Sequence, residues 1–237
     1  MDAIKSDLIG SVNTNNNLVD IAVGANLVAV ETINLGLASV LKEQQHPEKV
    51  IEEAGNLNSL PVKKLVQFLE STILLKASIG MAVVNSLLPV PQKYDNGNAF
   101  RLIQSKSKGK NLGIIGHFHF VNRLKSTTKN CWVFEKEPQG EDLHESKIYE
   151  FLPQCDVVAI TGQTIINNTL GQIIELSQKA YKIILGPSAP LSPVLFDYGI
   201  DAIGGVRINQ NDAVKRYIIQ GANFRQLPGL DRLIIHK

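Results

Sequence analysis

In the second half of the chain, five side chains have types that could carry chemistry: His117, His119, Cys131, Glu135 and Cys155. A loop histidine can move a proton, donate a hydrogen bond or ligate a metal; the plainer alternative for His117 is an imidazole bonded to backbone. Together the five resemble a metal-ligand list, but strand geometry argues against a shared site. Cys131 and Cys155 stand at the starts of apolar runs, whereas the histidines and Glu135 stand at the ends of such runs. A strand rises about 3.3 Å per residue, so the length of a sheet separates thiols from imidazoles, and zinc ligands must lie about 2.0–2.3 Å from the ion. Only His117, His119 and Glu135 could cooperate, and they lack a fourth partner. No metal ligands are assigned, and His117 is the candidate catalytic acid or base.

These residues are positioned by a regular grammar. Short apolar runs at 112–115, 132–134, 157–160, 183–185 and 202–203 alternate with helical or turn segments at 119–124, 146–152, 169–180, 193–198 and 211–220. Continuous apolar runs suit strands covered on both faces, and strand–helix alternation predicts a doubly wound parallel sheet. Ligands of such sheets bind outside the carboxyl ends of the strands, at the switch point. The residues just after the runs are therefore the candidate ligand contacts: Gly116, Phe118, Glu135, Thr161, Gly162, Thr164, Asn167, Gly186 and Ser188. Four of the five run ends carry glycine, which allows sharp turns and close approach to a ligand.

The first loop is not G-x-G-x-x-G, so no pyrophosphate cradle is specified. Glu135 follows Gly116 by 19 residues, where an acidic residue reads ribose hydroxyls in dinucleotide folds; its alternative is a surface pair with Lys136 or Arg123. An adenosine-type ligand without pyrophosphate fits this pattern better than a dinucleotide. Thr161, Thr164 and Asn167 could donate to a ligand, or the segment could simply lead into and cap the next helix. Ser188 lies on the rim with no base beside it, so it is not read as a nucleophile; Ser192, before Pro193, reads as a structural N-cap.

The first hundred residues read as α+β. A short helix is expected over 2–9, a hairpin over 18–23 and 27–32, a third strand or connector at 36–38, and helices over 47–54, 62–69 and 73–88. Asn85 sits in the most apolar of these segments and must pair, either with backbone across the core or inside an interdomain cleft. Gly80 in the same segment implies close backbone packing or a ligand. Residues 105–110, polar and basic, read as a linker between an α+β domain (1–104) and an α/β domain (111–237).

Composition narrows the function classes. Twenty-four Lys and Arg against 22 Asp and Glu leave +2, too balanced for a nucleic-acid binder. The N-terminal residues show no signal peptide, and the apolar stretch 72–90 is interrupted by Lys76, Ser78, Asn85 and Ser86, so no membrane segment is expected. Two cysteines cannot form a disulfide scaffold, and a cytoplasmic location is expected. The expected partner is a small molecule, with a homo-oligomer open and the cofactor unknown.

The segments GIIGHF (113–118), VFEKEP (133–138), LPQCDVVAITGQTIINNTL (152–170) and LGPSAPLSPVLFDYGIDAIGG (185–205) resemble the "putative heavy-metal chelation" domain family, formerly a domain of unknown function. VAVETINLGLA (28–38) and IGMAVVN (79–85) resemble its usual partner, an enolase-N-terminal-like domain. The resemblance implies an α/β protein of two domains, enolase-N-terminal-like then Rossmann-like, with a site between them in chelator, pterin or flavin-type chemistry. His119 departs from the proline expected after GHF. Two functions follow: an enzyme acting on a small molecule in the interdomain cleft, or a non-enzymatic binder of a heavy metal or metal chelate.

Overall fold

A computed structural model describes residues 3–41 and 51–237. Two sheets organise it. The small one is an antiparallel meander of β1 (Asp20–Val23), β2 (Leu27–Glu31) and β3 (Leu35–Ser39). The large one holds β4 (Asp95–Asn96), β5 (Asn111–Ile115), β6 (Asn130–Glu135), β7 (Leu143–His144), β8 (Val157–Thr161), β9 (Tyr181–Leu185), β10 (Ala202–Ile208) and β11 (Leu230–His236), in the order β4-β11-β10-β9-β8-β5-β6-β7. From β10 to β7 every pairing is parallel, while β11 runs antiparallel to both β10 and β4. Counting β5 as first, the parallel part reads 3-2-1-4-5-6, the order of doubly wound sheets, and its order reverses between β5 and β8.

The parallel strands are apolar along their length because both faces are covered. Val158, Ile160 and Ile184 pack on one side with the helix Leu170–Leu176. Leu112, Ile114, Ala159 and Ile183 pack on the other with the helices Ala99–Ser107 and Val121–Lys125. Each fully buried aliphatic side chain contributes roughly 1.5–3 kcal/mol.

The two halves interleave rather than sit side by side. Alternate residues of the small sheet face opposite ways. Val28, Val30 and Ala38 join the core containing the helix Leu74–Leu87, and Leu27, Ala29, Leu35 and Leu37 meet Val214 and Ile218 of the helix Asn211–Ile219. A late helix of the α/β half thus roofs the first sheet. Gly80 is explained by packing: a Cβ there would lie 2.0 Å from the Leu69 nitrogen.

The 105–110 linker is corrected. Residues 105–107 are the last turn of the helix Ala99–Ser107, whose Ala99, Phe100, Ile103 and Ser107 are buried. The apolar stripe at helical spacing prevails over the polar composition of its outer face. The chain also enters the large sheet at β4, ahead of the boundary expected after 104. Most of the helix expected over 47–54 lies outside the described residues, and 52–54 are turn. No described helix is long and apolar enough to cross a membrane.

Candidate functional site

At the reversal point, Gly116 follows the last residue of β5 and Thr161 ends β8. The Gly116 N–H extends the ladder by one step, donating to the Phe134 carbonyl at 3.0 Å, and the chain then turns with φ +94°. A Cβ at Gly116 would lie 3.1 Å from Thr161 Cγ2, so both conformation and space call for glycine. The Glu135 carboxylate accepts from the His117 N–H and holds the turn in place. His117 itself swings toward the β6–β7 connection, where its Nδ1 lies 2.8 Å from Asp142 Oδ2. That carboxylate is 3% exposed and the imidazole 47%.

The loop 116–120 separates two cavities. The larger, about 450 Å³, is the cleft between the two halves. Gly116, Glu135, Thr161, Thr164 and Asn167 line it from the large sheet's rim, and Leu41 and Leu74 from the N-terminal half. Five of the residues expected at a ligand site are thus brought together. Thr164 Oγ1 donates to the Thr161 carbonyl at 2.8 Å, opening a short helix, Gln163–Ile166. Asn167 Oδ1 accepts from Thr169 Oγ1 at 2.7 Å, which leaves its amide N–H groups for a ligand.

Other candidates lie elsewhere. Phe118 and Gly186 line the second cavity, and His117 lines neither. Ser188 is 1% exposed and accepts from the Ser39 N–H at 2.8 Å, tying β3 to the rim. Gly162 is wedged against the next rim loop, its would-be Cβ 2.5 Å from the Ala189 nitrogen. Asn85 Nδ2 donates to the Leu37 carbonyl at 2.7 Å and more weakly to Pro187 at 3.4 Å, while its buried Oδ1 has no hydrogen-bond partner. It stitches the helix to β3 and the rim at a small separate cavity.

The cleft also contains residues that sequence spacing did not single out: His144, Glu145, Tyr149, Gln163 and Gln172. The Ser146 N–H donates to His144 Nδ1 at 3.2 Å. A backbone N–H can only donate, so Nδ1 is bare and the neutral ring carries its proton on Nε2. Gln172 Nε2 donates to Tyr149 Oη at 2.7 Å. The strand presenting His144 is two residues long, too short for any periodic signal.

The thiols take no part. Burial pushes Cys131 up to about 11, and burial with the neighbouring Asp156 charge pushes Cys155 up to about 12, so both stay protonated at neutral pH. Among the described residues no group of three His, Cys, Asp or Glu side chains could hold a metal ion.

Two family models, both described as "Putative heavy-metal chelation", match residues 6–88 and 98–235. The chain belongs to this family. The break between the two matches falls where the chain passes from the small sheet to the large one. An uncharacterized protein of Methanocaldococcus jannaschii is 28% identical over 197 residues, covering 78% of this chain and 74% of that protein. A crystal structure of a DUF364-family protein of unknown function from Desulfitobacterium hafniense matches with TM-score 0.86 and 24% identity, covering 99% of this chain and 98% of that one. A second, from Pyrococcus horikoshii, matches with TM-score 0.82 and 21% identity, covering 100% and 99%. At these identities the two structures bear on the fold of this heavy-metal chelation family member.

Proposed function

We propose that the protein binds a small organic molecule of chelator, pterin or flavin type in the cleft between its enolase-N-terminal-like and Rossmann-like parts. One observation carries this reading. The cleft of about 450 Å³ opens at the carboxyl ends of β5, β6 and β8, where the strand order reverses, and the N-terminal half closes it. Its polar groups are mixed: the Glu135 carboxylate, the His144 imidazole, hydroxyls and amides. Such a set suits a polar heterocycle or an oxygen-rich chelator, whose own atoms would carry any metal. Glu135, at the end of the second strand of the doubly wound order, would accept from vicinal hydroxyls or ring N–H groups of the bound molecule.

The enzymatic form of the proposal rests on His144. Its tautomer is fixed with Nε2–H as the ring's free edge, a hydrogen-bond donor that can polarise a carbonyl or stabilise an oxyanion of a bound molecule. The family description favours a second form, a holder of a metal chelate without turnover.

The test is thermal-shift titration of the intact protein with riboflavin, 6-hydroxymethylpterin and adenosine, on wild type, Glu135→Gln and Gly116→Val. At least one compound should raise the midpoint in wild type and lose most of that effect in both variants. If none shifts it, while a bare divalent cation does so equally in all three proteins, the reading fails.

A further inference from the structure

The second cavity, across the loop 116–120 from the cleft, measures about 260 Å³, at the small end of ligand sites. Among the described residues no acidic side chain lines it, and two arginines do: Arg225 from the turn Phe224–Gln226 and Arg232 from β11. Neither has a carboxylate partner among the described residues, although Arg207 pairs with Asp231 at 2.8 Å one residue from Arg232. A third guanidinium, Arg123, is held 4.2 Å from the centroid of Phe100, which packs against Phe120. The helix Ala99–Ser107 begins at the same place, with Asn98 and Ala99 in the wall and its positive end toward the cavity. Burial and the charges of Arg225, Arg232 and Arg123 hold His119 below the ordinary histidine range.

Cations gathered without a counter-charge repel one another, and a concave wall focuses their field. The wall is also aromatic: Phe118 is half-buried and stacked on Phe120, with centroids 5.2 Å apart and planes 7° from parallel. Gly186, at φ +112°, turns the chain at the cavity's edge, and a Cβ there would meet nothing within 4 Å.

We infer that this cavity is a separate binding site for a small planar carboxylate, with Arg225 and Arg232 taking the carboxylate and Phe118 taking the ring. Guanidinium forks match carboxylate geometry, and the space accommodates a single ring. The site does not depend on what the cleft holds.

The test is calorimetric and NMR titration of the intact protein with benzoate, benzamide and acetate. Benzoate is expected to bind in the millimolar range or tighter and to perturb the amide signals of Gly186 and Gly205. Benzamide, of the same shape without the charge, should bind at least tenfold more weakly. Arg232→Met and Arg225→Met should each weaken benzoate about tenfold with an unchanged thermal midpoint, because both side chains are exposed and unpaired. Phe118→Leu should weaken benzoate and leave acetate unaffected. Absence of benzoate binding, equal binding of benzamide, indifference to the arginine variants, or signals moving at Gly116 instead of Gly186 would each overturn the assignment.

Discussion

The two cavities share one loop and one sheet rim, yet differ in nearly everything else. The cleft is built by both halves of the chain and lined by mixed polar groups, with Glu135, Glu145 and Lys136 among its charged ones. The second cavity belongs to the large sheet and its neighbouring elements, carries arginines and aromatic rings, and has no acid among the described residues. The loop 116–120 divides them by alternation: Gly116 faces the cleft, Phe118 faces the arginines, and His117 between them faces neither, turned outward to Asp142. A rim motif therefore does not specify one site; successive residues of one loop serve opposite sides of the sheet.

Gly162, wedged between Thr161 of the cleft and the rim loop 186–189 beside the second cavity, is where one substitution should break both sites at once. Gly162→Val would drive a side chain into the backbone of Ser188 and Ala189. We expect a loss of about 3 kcal/mol or more, lowering the melting midpoint by roughly 6–12 °C, with ligand responses lost in both cavities.

Gly116→Val should separate them. The backbone angle and the contact with Thr161 both penalise a side chain, at a cost of about 1–2 kcal/mol. Cleft ligands should be lost while benzoate affinity at the second cavity changes less than about twofold, as expected for independent sites. Equal loss at both would mean that the loop behaves as one unit.

The histidines sharpen the contrast further. His117→Ala leaves a buried carboxylate, Asp142, without its imidazole, so it should cost about 1–3 kcal/mol of stability and leave cleft binding intact once folded. His144→Gln should do the reverse: a small change in thermal midpoint and a clear loss of cleft affinity or turnover. The smallest effect concerns pH. Because folding lowers the His119 pKa, the unfolded chain binds the proton more tightly, so stability falls as pH drops below the ordinary histidine value near 6.5. A midpoint-against-pH series from 7 to 5 should be slightly flatter in His119→Gln.

What the sequence made legible follows from periodicity. Runs such as 157–160 and 183–185 read as buried parallel strands because two-sided burial leaves no polar alternation to confuse them, and their carboxyl ends pointed to Gly116, Glu135, Thr161, Thr164 and Asn167. The helix Ala99–Ser107 was obscured because its outer face is Ser and Lys, and composition masked the stripe of Ala99, Phe100 and Ile103. His144 could not be found, since a two-residue strand carries no pattern and its tautomer depends on a contact with Ser146. The arginine cavity depends on β11 lying beside β10, a long-range pairing that places Arg232 near the loop after β5. Glycine at strand ends was ambiguous in kind: Gly116 and Gly186 turn with positive φ beside cavities, whereas Gly162 is a packing contact.

The most direct measurement is a native mass spectrum of freshly purified wild-type protein beside Glu135→Gln and Gly116→Val. An organic adduct on wild type, lost or much reduced in both variants, is the predicted result. A bare metal ion bound one per chain, equally retained in all three proteins and with no organic mass, would contradict it.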